Sequence, residues 1–183
     1  MILTGPEIER QRRRGALTIE PFSADQLNPV SWNYRLGDTL RVHRSTVLDT
    51  RAAHGHGLSE FAIPSQGYVV QPGRTYLGTT VEIIGSDEFV PWLIGRSSLG
   101  RLGMFLQFSA ALGNRGSCHR WTLEIKVVQP LRVYPGMTVG QVMFVATQGA
   151  PHSYTGYFGH ISQALPPLPG RLSGTSQLER NAR

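Results

Sequence analysis

Gly95-Arg96-Ser97-Ser98-Leu99-Gly100-Arg101-Leu102-Gly103, followed after a gap by Thr122-Leu123-Glu124-Ile125, is the most informative stretch of this chain. Its two arginines suit phosphate and carboxylate groups, which a guanidinium meets through planar, bidentate donor pairs. Its glycines allow the backbone to approach a ligand closely or to adopt positive φ. Glu124, flanked by Leu123 and Ile125, reads as a carboxylate inside an apolar strand. An unpaired buried carboxylate is costly, so it needs a partner or a task. Together these residues have the character of a nucleotide site with a general base.

Working outward, 21 Gly, 12 Pro and 40% hydrophobic residues in 183 positions suit one all-β domain rich in turns. Strand-like runs are predicted at 17–19, 30–42, 61–63, 67–70, 75–84, 89–94, 104–109, 121–128, 131–134 and 141–147. Many short strands at close spacing indicate a sandwich or barrel. Within 30–42 the strands are expected to flank a turn at Leu36-Gly37-Asp38, and the polar 44–60 is expected to be a loop. Thr4 followed by Glu7 reads as a capping box with Pro6 in the first turn, predicting a short helix over 5–14 that Gly15 ends. Residues 166–183, opening Pro166-Pro167-Leu168-Pro169-Gly170, are predicted to form an extended, flexible tail.

Several function classes are disfavoured. The chain has no run of eighteen apolar residues and its start has no signal-peptide character, and the single Cys118 fits a reducing compartment. A cytoplasmic protein without membrane contact is therefore expected. The net charge of +6 could suggest a nucleic-acid polymer. Its densest cluster, Arg10 with Arg12-Arg13-Arg14, falls beside Glu7 and Glu9 on the predicted helix, so a solvated helix face is the preferred reading. His43, His54 and His56 lack cysteine or acidic company and read as loop histidines, not as metal ligands. Neither a P-loop nor a GxGxxG opening a helix is present.

GRSSLGRLGM and TLEI resemble the dCTP deaminase branch of the dUTPase-like superfamily, whose pattern is close to GRSSLARLG, then TA, IDPG and LEL. Met1-Ile2-Leu3-Thr4 with Ile19-Glu20-Pro21-Phe22 is similar to that family's first helix and strand. Asn28-Pro29-Val30-Ser31-Trp32-Asn33-Tyr34-Arg35-Leu36-Gly37 is similar to its NPASYDLRLG segment. Gln71-Pro72-Gly73, Thr79-Thr80-Val81-Glu82 and Pro135-Gly136-Met137-Thr138-Val139-Gly140-Gln141 follow in the family's order, so the resemblance covers residues 1–165. It implies a mainly β, dUTPase-like distorted β-barrel or jelly-roll with a short N-terminal helix. It also implies a homotrimer with sites at subunit interfaces, and a small-molecule nucleotide as substrate.

The chemistry implied is deamination of a cytosine nucleotide, most simply dCTP to dUTP plus ammonia. Zinc deaminases use an H-x-E and P-C-x-x-C signature, which a chain with one cysteine cannot supply. The route left is a carboxylate base that takes a proton from water and relays it toward N3 and the departing amine. Glu124 is the candidate. By resemblance, Ser97 and Arg101 hold the water and orient Glu124, and a neighbouring guanidinium keeps a carboxylate ionised. Arg96 and Ser98 correspond to phosphate ligands. Phe108-Ser109-Ala110-Ala111 corresponds to the TA stretch whose backbone contacts the base. Magnesium is expected to arrive on the nucleotide phosphates, with no zinc and no metal held by the protein itself.

Two departures from the family pattern bear on substrate and product. Its IDPG reads Gly113-Asn114-Arg115-Gly116, and Asn114 can form hydrogen bonds but cannot act as a base. That disfavours dUTPase chemistry and a bifunctional enzyme. Its KYxxQ reads Gly159-His160-Ile161-Ser162-Gln163, which retains Gln163 as a phosphate contact but loses the lysine. The nearby Gly-Phe/Trp-x-Gly turn reads Gly116-Ser117-Cys118-His119. Alternatives to the deaminase are a dUTPase-type nucleotide diphosphohydrolase and a non-catalytic, nucleotide-binding regulatory paralogue.

Overall fold

A computed structural model describes residues 1–48, 57–107 and 110–165. The polypeptide opens with helix α1 (Gly5–Arg13), and Thr4 is its N-cap as expected, with extended backbone angles. The capping box is not formed, however, because no side-chain hydrogen bond caps the helix. Glu7 instead takes Arg10 at 2.6 Å and Gln11, and the Arg10 guanidinium holds its carboxyl down at about 2. Arg13 pairs with Glu9 and Arg14 with Glu88, each at 2.5 Å, while Arg12 lies 4.4 Å over the Phe22 ring. The basic cluster is thus occupied within the fold, in keeping with the solvated-face reading. Gly15 follows the helix at φ 79°.

Strands make up most of the remaining ordered structure. They are β1 (Thr18–Glu20), β2 (Trp32–Arg35), β3 (Thr39–His43), β4 (Leu58–Ala62), β5 (Tyr68–Val70), β6 (Tyr76–Ser86), β7 (Phe89–Gly95), β8 (Met104–Leu106), β9 (Ser117–Val127), β10 (Leu131–Val133) and β11 (Thr138–Ala146). The largest sheet runs β4-β3-β6-β9-β8, with β1 also on β6; a second runs β2-β11-β7; β10 and β5 form a small third. Every pairing is antiparallel. Trp32, Tyr34, Leu36, Leu40, Ile84, Leu93, Leu123, Ile125, Val142 and Phe144 are fully buried and bring both larger sheets into one core. Alternating burial along β2, β6 and β9 reflects the period-two geometry of strands with one face in that core.

β2 and β3 flank Leu36-Gly37-Asp38 as expected but do not pair with each other: β2 joins β11 and β3 joins β4 and β6. The turn therefore passes the chain from one sheet to the other. The loop expected over 44–60 ends sooner, because residues from Leu58 onward pair with β3. Residues 49–56, with His54 and His56, and the tail 166–183 lie outside the described residues.

The junction of β2, β7 and β11 explains one glycine of the PGMTVGQ segment. Gly140 pairs with Tyr34 on one side and Gly95 on the other. The Tyr34 ring is fully buried, its hydroxyl donates to the Ile94 carbonyl at 3.1 Å, and burial raises its pKa. A Cβ at position 140 would stand 2.1 Å from that ring. Gly140→Ala should therefore destabilise the protein by about 1–3 kcal/mol, the usual cost of overpacking. Urea denaturation would measure it, and an unchanged midpoint would count against this packing.

Candidate functional site

β6 and β9 build the wall on which the site stands. Their register runs from Tyr76↔Ile125 to Thr79↔Thr122 and resumes at Ile83↔Arg120, so β6 carries extra residues over 80–82. This bulge is fixed from inside. Glu82 is fully buried, and its carboxylate accepts from the Arg35 Nε at 2.6 Å and from the Arg35 backbone N at 2.9 Å. Thr80 Oγ1 donates to the Glu82 carbonyl at 2.7 Å and accepts from the Trp121 backbone N at 2.9 Å. Opposite the bulge, the β9 side chains that reach the cleft change from Ser117, His119 and Trp121 to Thr122, Glu124 and Lys126. Bulges re-aim side chains in this way.

The cleft is open, with a volume of about 1350 Å³. Glu124 lines it, as do Asn114 and Gln163, so three of the expected site residues come together. Glu124 lies within β9 as expected but is half-buried, which corrects the premise that its carboxylate is buried. Leu123 and Ile125 face the core on the opposite side of β9. Among the described residues, the carboxylate enclosed by the fold is Glu82. Among the described residues, no hydrogen bond or ion pair engages the Glu124 carboxylate.

Sequence reasoning missed Gln107. It is buried, its backbone sits at φ 50°, and its Oε1 accepts from the Glu124 backbone N at 2.8 Å. Positive φ outside glycine is uncommon and stores strain, which tends to concentrate at functional sites. The sequence signal was present only through register: Leu106 pairs with Ile125, which brings the residue after β8 toward Glu124. His119 and Trp121, two residues apart on β9, were also missed. Their rings lie 4.4 Å apart at a tilt of 31°, and the Trp121 indole donates to the Ile84 carbonyl at 2.8 Å.

The Arg-Ser block lies elsewhere. Ser97–Gly100 form a short helix, α2, with Arg96 at its N-cap and Arg101 at its C-cap. Leu99 packs against the core, whereas Ser97, Ser98 and Arg101 are exposed. None of Arg96, Ser97, Ser98 and Arg101 lines the cleft. One chain therefore does not unite the two halves of the expected site. Of the block's glycines only Gly103 has positive φ, at 81°, and a Cβ there would meet Val128 at 2.4 Å, so its need is packing. Phe108 and Ser109 lie outside the described residues, and the neighbouring Ala110 lines the cleft.

The C-terminal segment supplies the far side. Tyr154, Phe158, Ile161, Gln163 and Leu165 line the cleft. The Tyr154 backbone N donates to the Arg115 carbonyl at 2.8 Å, the Arg120 backbone N to Ser162 Oγ at 3.1 Å, and Arg41 to the Ala164 carbonyl at 2.6 Å. Gly159 stands where a Cβ would lie 2.9 Å from the Tyr154 ring. Among the described residues no three His, Cys, Asp or Glu side chains gather as a metal site. No helix among them is long and apolar enough to cross a membrane.

This mainly antiparallel β-fold is the dUTPase-like fold of a solved 2'-deoxycytidine 5'-triphosphate deaminase from Agrobacterium tumefaciens, with a TM-score of 0.63 at 23% identity. The alignment covers 80% of this chain and 48% of that one, so this chain spans about half the length of the solved protein. By sequence, residues 2–147 match the dCTP deaminase-like family, and the chain belongs to it. It is 41% identical over 155 residues to the "dCTP deaminase, dUMP-forming" of Hathewaya histolytica, covering 85% of this chain and 88% of that relative. It is 39% identical over 169 residues to the protein of the same description from Cytophaga hutchinsonii, covering 92% and 96%. Against the "dCTP deaminase" of Rhodopirellula baltica it is 37% identical over 175 residues, covering 95% and 87%.

Proposed function

We propose that this protein deaminates dCTP without a protein-bound metal. The observation that carries the reading is Glu124: a carboxylate on the wall of a large cleft, its backbone held by Gln107 and its side chain uncommitted to any described partner. Such a group can accept a proton from water as that water attacks C4, then deliver it toward N3 and the leaving ammonia. Asn114 sits on the sugar side of the nucleotide, and Gln163 on the phosphate side. By the family resemblance, the stretch that includes Phe108 and Ser109 is assigned to the base. Magnesium accompanies the triphosphate, bound through phosphate oxygens and the waters it retains.

The water-holding pair, Ser97 and Arg101, reaches Glu124 from a neighbouring subunit of a homotrimer, with Arg96 and Ser98 on the phosphates. The exposure of α2 supports this, as do the exposed apolar Leu102 and Val128 beside it. Mixing separately inactive Arg101→Ala and Glu124→Gln proteins under conditions that exchange subunits should restore activity neither has alone. Failure of exchanged mixtures to recover any activity would argue against a shared site.

Incubating the protein with dCTP and identifying the products tests the reading as a whole. Ammonia with dUTP is expected. A second outcome, ammonia with pyrophosphate and dUMP, is favoured by the descriptions of the Hathewaya and Cytophaga relatives. Asn114 weighs against it, since an amide cannot activate the water that would attack phosphate. Asn114→Asp should then introduce pyrophosphate release that the unmodified protein lacks. Absence of ammonia from active-site-titrated protein would exclude the deaminase.

A further inference from the structure

We propose that His119 is a specificity-determining residue whose Nε2 accepts a hydrogen bond from the 3′-hydroxyl of the substrate's deoxyribose; this rests on the reading that Glu124 acts at C4. His119 Nδ1 lies 2.9 Å from the Arg120 carbonyl oxygen. A carbonyl only accepts, so Nδ1 carries the hydrogen and Nε2 is left as an acceptor. No other hydrogen bond to the ring occurs among the described residues. His119 is 8% exposed, its ring lies 4.4 Å from that of Trp121 at a tilt of 31°, and it lines the cleft. Its acceptor atom is therefore held in place at low entropic cost. Burial lowers its pKa and the nearby His160 adds to that, against the opposing bond to Arg120, so the ring is neutral at neutral pH.

The identity of the donor follows from the substrate. Apart from its phosphates, dCTP has two donor groups, the exocyclic amine and the 3′-hydroxyl. With the amine at Glu124, the second donor must be sought further along the cleft. His119 is five residues from Glu124 on one strand, about 16 Å between Cα atoms. That span accommodates two inward side chains with a nucleoside between them. Asn114, on the same cleft, can donate as well as accept and cannot by itself discriminate for a donor. A fixed, acceptor-only nitrogen can.

The test is steady-state kinetics of the full chain with dCTP and with 2′,3′-dideoxy-CTP. Wild type should show a KM about three- to tenfold higher for the dideoxy substrate, the usual worth of one hydrogen bond. His119→Phe keeps a ring against Trp121 but removes the acceptor. It should raise KM for dCTP by that same factor, leave kcat nearly unchanged, and leave the dideoxy KM where it was. His119→Gln, which restores an acceptor oxygen, should recover part of the loss. His119→Ala provides the same comparison where the Phe variant does not fold. Equal effects on both substrates, or none on either, would overturn the assignment by leaving only a packing role. A wild type unable to deaminate dCTP would overturn the deaminase reading and this inference with it; an active wild type with equal effects overturns this inference alone.

Discussion

Glu124→Gln is expected to abolish deamination while leaving the fold and nucleotide binding intact. The change removes the proton acceptor and keeps nearly the same volume. Position 124 tolerates it, because the side chain is half-buried on the cleft wall and among the described residues no hydrogen bond or ion pair engages its carboxylate. Its structural tie is through the backbone, whose N donates to Gln107 Oε1 at 2.8 Å, and that bond does not depend on the side chain. Loss of a general base typically costs about 10²–10⁴ in rate, and the cost rises where the same group also places the water. Turnover should fall with little change in KM, since the lost interaction belongs to the transition state. Turnover within a fewfold of wild type would remove Glu124 from the chemistry.

The largest effect on stability should come from Arg35→Ala. Glu82 has no exposed surface, and among the described residues only the Arg35 side chain, 34% exposed, brings it an opposite charge. Removing one partner of a buried pair usually costs about 3–5 kcal/mol, because the remaining charge stays uncompensated. The lower part of that range is expected, for two reasons. The Arg35 backbone N still donates to the carboxylate at 2.9 Å, and water can enter along the path of the missing guanidinium. Replacing both residues with methionine should be less harmful than Arg35→Ala alone, since no charge is then stranded. Chemical denaturation of the two variants would check this. A loss below about 1 kcal/mol for Arg35→Ala would mean that the pair behaves like a surface one.

How far the site was legible in the sequence can be argued from three carboxylates and amides. Glu124 reads from the sequence as a carboxylate buried among apolar neighbours, whereas the structure leaves it half-buried on the cleft wall. Its apolar neighbours face the other side of a strand, and period-two alternation was already visible in Leu123, Ile125 and Val127. The buried, paired carboxylate is Glu82, whose partner Arg35 lies 47 positions away, a separation no local pattern reports. Gln107 went unnoticed because its relation to Glu124 exists only through the β8–β9 register.

Local patterns determined a good deal by themselves. The helix from Gly5 with Thr4 before it, the stop at Gly15, most strand positions and the family motifs in their order were all legible. Each depends on residues near one another in the chain. Tertiary structure decided the rest. It showed that β2 and β3 part company into different sheets and that His119 stands in the cleft. It also placed α2 away from the cleft that Glu124 lines. The physical reason is the same in each case: antiparallel pairing and ion pairs join residues by register and distance, and neither quantity is encoded in spacing along the chain.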